Sequence, residues 1–170
     1  WLADYVRTYI ERDVPSALAV SDLIAFQGFL RLCAGRVAGL LNLSSLGADA
    51  GVSHNTARAW LSVLEAGYLA FRLPPLHVNA RKRLVKTPKL HLMDSGLVCY
   101  LLGIRSTQEL RFHPLRGAIF ESWVVAEFRK RTAHDALDAN LSFYRDRKGL
   151  EVDLVVDDGR RLTAVECKSS

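Results

Sequence analysis

Two short segments near the end of the sequence carry residue types suited to chemistry on phosphates. Glu151-Val-Asp153 places two carboxylates two residues apart, and Glu166-Cys-Lys168 does the same for a carboxylate and an ammonium. In extended chain, residues two apart share a face. Strands are expected over Leu141–Arg145, Glu151–Val156 and Leu162–Lys168, with turn signals at Arg147-Lys-Gly149 and Asp157-Asp-Gly159 between them. Hairpin pairing would bring Asp153 beside Glu166 and Lys168. Two carboxylates on one face can hold Mg²⁺ or Mn²⁺ through their oxygens. Such a metal polarises a phosphate and helps to generate hydroxide. The lysine would position the attacking water or offset charge in the transition state. Glu121, in the preceding helical stretch, would add a third carboxylate if that helix packs across the sheet edge. E-x-K alone is a weaker signal, because alternating charge on a solvated strand also produces it.

These residues need a scaffold, and periodicity supplies one. Gly117–Arg131 reads as an amphipathic helix with Ile119, Phe120, Trp123, Val124 and Phe128 on its apolar side. Before it, Ser95–Gly103 reads as a short apolar helix capped by Asp94, and Thr107–His113 as a linker. Asp4–Val14 is helical up to Pro15. Ser21 is a good N-cap for a helix with Asp22 in its first turn, whose Leu23, Phe26, Phe29, Leu30, Cys33 and Val37 recur at steps of three and four. A short helix, Ser44–Ala50, ends at Gly51, and Ser53 caps a second in which Ala57, Trp60, Leu61 and Leu64 form the apolar stripe up to Gly67. Short helix, tight turn and longer helix make a helix-turn-helix. Tyr68–Leu73 and Lys89–Met93 follow as two strands, so the segment between them is the tip of a β-hairpin, the wing of a winged-helix module. His54, Asn55 and Arg58 point away from the apolar stripe, where they could meet a major groove.

Charge falls in one place. Between Leu76 and Met93 lie Arg81, Lys82, Arg83, Lys86 and Lys89 with no acid among them. Of the 23 basic residues the other 18 match the 18 acidic ones, so the net charge of +5 belongs to this stretch. Such a patch is either an electrostatic footprint for phosphates or a solvated loop. The 170 residues, 49% hydrophobic and 24% charged, suit a globular chain of one large or two small domains rather than a disordered or fibrous one. The longest apolar run, Leu97–Leu102, is far too short to span a bilayer. Three scattered cysteines fit a reducing compartment, and a soluble cytoplasmic protein is expected. The five histidines show no paired metal spacing, and there is no serine- or cysteine-hydrolase signature. The chain opens on Trp1 and stops at Ser170 without a terminal element, so it reads as part of something longer.

Glu121, Asp153 and Glu166-Cys-Lys168, in helix–strand–strand–strand order, resemble the PD-(D/E)xK nuclease superfamily with its restriction-endonuclease-like fold. Val152 stands where a proline is usual. The resemblance implies that Asp153 and Glu166 are metal ligands, that Lys168 is catalytic and that Glu121 assists, as a third ligand. More widely, Tyr9-Ile-Glu-Arg-Asp13, Asn42-Leu-Ser-Ser-Leu46, Leu64-Glu-Ala-Gly-Tyr-Leu69, Arg83-Leu-Val-Lys-Thr-Pro-Lys89, Asp94-Ser-Gly-Leu97, His113-Pro-Leu-Arg-Gly117 and Phe120-Glu121 resemble the C-terminal region of a group of prokaryotic AAA+ ATPases. There a P-loop ATPase domain precedes a winged helix and a nuclease-like region. These residues hold no G-x-x-x-x-G-K-[ST], so the resemblance assigns ATP to an N-terminal domain in cis, along with any homo-oligomeric assembly.

The expected architecture is therefore α+β. A helical, winged helix-turn-helix module spans residues 1–111, and a restriction-endonuclease-like module spans 112–170 without the closing helix and strand of that fold. Two functions follow. One is a nucleic-acid-binding, Mg²⁺- or Mn²⁺-dependent nuclease-like module. The other is a non-catalytic module that binds DNA or protein and targets or regulates the attached ATPase. No membrane partner is expected.

Overall fold

The computed structural model describes residues 1–9, 12, 22–76, 85–134, 139–146 and 148–169. The chain is a mixture of helices and two small antiparallel sheets, an α+β arrangement. It opens with α1 (Leu2–Thr8) and α2 (Leu23–Ala34). Asp22 lies just ahead of α2 rather than in its first turn, and its carboxylate accepts the Ala25 N–H at 2.8 Å. The expected cap, Ser21, lies outside the described residues. Phe26, Phe29, Leu30 and Cys33 are buried, and both phenylalanine rings meet Trp60 edge-on at centroid distances of 5.4 and 5.5 Å.

Trp60 belongs to α4 (His54–Ala66), which follows α3 (Leu43–Asp49) after a tight turn. Asn42 caps α3 and Ser53 caps α4, each accepting an N–H of the first turn, while Gly51 supplies the left-handed residue between them at φ +70°. β1 (Ala70–Leu73) and β2 (Lys89–Leu92) pair as an antiparallel hairpin with Ala70 opposite Leu92 and Leu73 opposite Lys89. All four β2 residues are buried. One face of β2, Leu90 and Leu92, joins the core built on α2 and α4. A second core of Phe71, Leu73, Val125, Ala126, Phe143 and Leu154 forms beyond the hairpin.

Next come α5 (Ser95–Leu101), α6 (Thr107–Phe112) and α7 (Arg116–His134). Asp94 caps α5 as expected, accepting the Leu97 N–H at 2.8 Å. The expected linker at Thr107–His113 is a helix instead. Ser106 accepts the Glu109 N–H while the Glu109 carboxylate accepts the Arg105 N–H, a reciprocal cap that Ser106-Thr-Gln-Glu109 encodes locally. On α7 the buried positions are Ile119, Ser122, Val125 and Ala126, whereas Trp123 is 46% exposed and Phe120, Val124 and Phe128 are half-buried. The expected apolar stripe is thus rotated. Small residues occupy the line along which α7 crosses the hairpin, and the Ser122 hydroxyl donates to the Leu92 carbonyl at 3.4 Å.

The last three strands, β3 (Asn140–Arg145), β4 (Glu151–Asp157) and β5 (Leu162–Val165), form an antiparallel sheet in sequence order, with a bulge in β3 between Ser142 and Tyr144. The expected third strand is cut short: Glu166, Cys167 and Lys168 follow its end. The chain after β1 does not project freely. Phe143 N–H donates to the Pro74 carbonyl, Leu76 N–H to the Phe143 carbonyl and Val85 N–H to the Arg145 carbonyl, so both flanks of the hairpin tip lie against β3.

Candidate carboxylate site

Three carboxylates meet at one ammonium group. Lys89 enters from β2, Glu121 from α7, and Glu151 and Asp153 from β4. The Lys89 Nζ donates to Glu121 Oε1 at 2.7 Å, lies 2.5 Å from Glu151 Oε1 and 4.0 Å from Asp153 Oδ1, and stands 5.3 Å from the centroid of the Phe143 ring. The second Glu151 oxygen faces Arg145 Nη1 at 3.4 Å. Period-two geometry in β4 puts Glu151 and Asp153 on one face, as their spacing predicts.

Lys89 is only 2% exposed. The expectation that it belongs to a phosphate-binding surface with Lys86 is therefore corrected. It starts a strand sandwiched between two cores, and α7 covers it. Its neighbour two along, His91, is fully buried on the same face, stacked on Phe71 at 5.3 Å, with neither ring nitrogen hydrogen-bonded. Burial, then the nearby Lys89 charge, pulls the His91 pKa down to about 3. Of the remaining basic segment, Lys86 is exposed, and Arg81, Lys82 and Arg83 lie outside the described residues.

The electrostatics follow from three acids sharing few cations. Burial works against the Lys89 charge, but its hydrogen bonds to Glu121 and Glu151 outweigh this and raise its pKa above the ordinary value. Burial pushes Glu121 up to about 7. Asp153 and Glu151 add to the rise, and Lys89 only partly opposes it. The half-buried Cys167 thiol is pushed up to about 11 by burial and by the Asp153, Glu121 and Glu166 carboxylates.

The E-x-K segment joins this cluster only through its backbone. The β4–β5 ladder runs from Asp157 opposite Leu162 to Leu154 opposite Val165 and stops there. Just beyond, where the strand has ended, Asp153 Oδ2 accepts the Cys167 N–H at 2.8 Å. The Glu166 side chain is half exposed and pairs with Lys168 at 3.2 Å, a contact that raises the Lys168 pKa. Glu121 and Asp153 are thus brought together, while the Glu166 and Lys168 side chains pair with each other at the surface. A divalent ion needs several oxygens converging on one point at about 2.0–2.6 Å. Here Glu121 and Glu151 converge on a nitrogen, and no three His, Cys, Asp or Glu side chains among the described residues are arranged to hold a metal. As arranged, the carboxylates do not fit one.

Sequence reasoning left two members of this cluster out of the candidate metal site. Glu151 shares the Asp153 face, which was a usable signal. Lys89 starts the expected strand Lys89–Met93, whose apolar run signals burial, a signal that grouping its side chain with the basic surface overlooked. The other candidate residues lie apart from the cluster. On α4, Asn55 lies opposite the buried Ala57, Trp60, Leu61 and Leu64 and Arg58 at the edge, both exposed, whereas His54 is half-buried beside that stripe rather than facing away from it.

Residues 1–108 match a family described as a domain of unknown function (DUF8612). The chain belongs to that family. Residues 116–170 match a second domain of unknown function (DUF4143), a domain typical of AAA-ATPase-associated proteins. Among curated proteins, this DUF8612 chain is 27% identical over 168 residues to Uncharacterized protein Mb2031c of Mycobacterium bovis and to Uncharacterized protein Rv2008c of Mycobacterium tuberculosis. Each match covers 99% of this chain and 37% of the relative, so the chain spans little more than a third of their length. No solved structure matches it. No described helix is long and apolar enough to cross a membrane.

Proposed function

We propose that this chain is the nucleic-acid-binding portion of a longer ATPase-associated protein, a winged-helix-type module followed by a restriction-endonuclease-like module. The observation that carries this reading is the exposed face of α4. Asn55 and Arg58 stand one turn apart on the second helix of a tightly joined pair, next to the helix start. In helix-turn-helix proteins that position enters the major groove. Arg58 would read a base edge and Lys86 a backbone phosphate, with Arg81, Lys82 and Arg83 adding charge from the same segment. Any ATP-driven step belongs to a P-loop domain elsewhere in the longer protein.

A second reading, metal-dependent cleavage, is favoured by the hydrogen bond that ties the Asp153 carboxylate to the backbone of the Glu166-Cys-Lys168 segment. In that reading Asp153, Glu166 and Glu121 would hold Mg²⁺ or Mn²⁺ and Lys168 would act on the attacked phosphate. The Lys89 ion pairs weigh against it. They favour the first reading, in which the nuclease-like part serves as scaffold or contact surface.

Binding of labelled duplex, single-stranded and branched DNA, and of RNA, separates these cases when measured across a salt series. Arg58→Ala is expected to cost about 1–3 kcal/mol of specific affinity, and Lys86→Ala to lower the salt slope by about one. Absence of binding to every probe at low salt refutes the nucleic-acid reading. The same probes incubated with Mg²⁺ or Mn²⁺ test cleavage. Cutting that both Asp153→Asn and Lys168→Ala abolish selects the second reading, and binding without cutting selects the first.

A further inference from the structure

The carboxylate cluster already contains a cation, supplied by the chain itself. We propose that the Lys89 ammonium occupies the cation seat of the Glu121–Glu151–Asp153 cluster, so that the wild-type chain takes no divalent ion there and removing the ammonium converts the cluster into a divalent-cation site. This concerns the carboxylate site alone and is independent of nucleic-acid contact by α4.

The argument is geometric. Glu121 Oε1 and Glu151 Oε1 approach one point from different elements, α7 and β4, and that point is the Lys89 nitrogen at 2.7 and 2.5 Å. A metal held by the same two oxygens would have to sit at nearly the same place. Two cations cannot share it, because like charges at contact distance inside a protein repel strongly. Nor can the ammonium readily withdraw. The Lys89 backbone is fixed by pairing with Leu73, its ammonium stands over the Phe143 ring at 5.3 Å from the centroid, and its side chain is 3% exposed. The donor types are those a hard cation takes: two carboxylate oxygens on the seat and the Asp153 carboxylate, held by the Cys167 N–H, with Oδ1 4.0 Å from it and free to close in once the ammonium is gone. Arg145, 3.4 Å from Glu151, would remain as a nearby positive group.

Mn²⁺ is the probe, and bound Mn²⁺ is read by loss of the free-ion electron paramagnetic resonance signal, with melting temperature as a second readout. For the wild type, no Mn²⁺ uptake sensitive to Asp153→Asn is expected at millimolar metal. Lys89→Met is expected to take up one Mn²⁺ and to melt roughly 5–10 °C higher at a hundredfold excess over its Kd than in chelator. Adding Asp153→Asn should abolish both effects. Wild-type uptake that Asp153→Asn removes overturns the proposal, as does a folded Lys89→Met protein with no uptake. Should Lys89→Met fold only with Mn²⁺, and not with monovalent salt of equal ionic strength, the proposal is supported. Should it fold under neither condition, the proposal is overturned, because a cluster converted to a divalent-cation site would be stabilised by Mn²⁺.

Discussion

Removing the Lys89 charge should be among the most damaging single changes in this chain, and pH identifies why. Lys89→Met keeps most of the side-chain volume and leaves Glu121, Glu151 and Asp153 facing one another without the ammonium. Breaking a buried ion pair from one side costs about 3–5 kcal/mol. For a chain of this size each kcal/mol shifts the melting temperature by roughly 2–4 °C, so a fall of roughly 6–20 °C is expected at pH 8. The cost is electrostatic, so protonating the orphaned carboxylates must relieve it. Chemical denaturation of both proteins at pH 8 and pH 5 measures this directly, and the difference between them should shrink by about half or more at pH 5. A loss below about 1 kcal/mol at pH 8, or an equal loss at both pH values, would mean that Lys89 matters for packing and that the charge argument is wrong.

Glu121 and His91 should shape the stability–pH profile in opposite senses. The Glu121 pKa rises from 4.5 to about 7 on folding, so its burial lowers stability as pH climbs through that window, by on the order of 3 kcal/mol. Glu121→Gln should flatten this part of the profile in urea titrations at pH 4.5 and 7.5. The His91 pKa falls from 6.5 to about 3, so stability is lost as pH drops through that range, at about 1.4 kcal/mol per pH unit. His91→Phe removes that slope and two unpartnered ring nitrogens, and should make the protein more stable than wild type at pH 5. A Cβ on Gly67 would sit 2.7 Å from the Tyr9 hydroxyl, which donates to the Val63 carbonyl. Gly67→Ala should therefore cost about 1–3 kcal/mol, and a double-mutant cycle with Tyr9→Leu should recover a large part of it.

Local patterns wrote much of this fold into the sequence. Asp94 and Ser53 cap the helices assigned to them, Gly51 makes the left-handed turn, and period two puts Glu151 and Asp153 on one face. Each depends on atoms within a few residues of one another, so the sequence by itself determines them. The Ser106-Thr-Gln-Glu109 cap was equally local, and reading that segment as a linker overlooked it.

Burial across long sequence separations was a matter for the tertiary structure. A lysine in a basic run has the same local signature whether it is solvated or buried. Lys89 is buried because β2 passes between two cores and α7 closes over it, bringing in Glu121, 32 residues further along. The rotation of the α7 stripe has the same origin: helix periodicity marks apolar residues, while the crossing partner selects the small ones, Ser122 and Ala126. The β4–β5 pairing ends at Leu154 opposite Val165, and beyond it Asp153 takes the Cys167 N–H while Lys168 takes Glu166, so Asp153 and the Glu166–Lys168 pair are held separately. The sequence thus determined which residues could do chemistry, and long-range packing decided which of them share one charge.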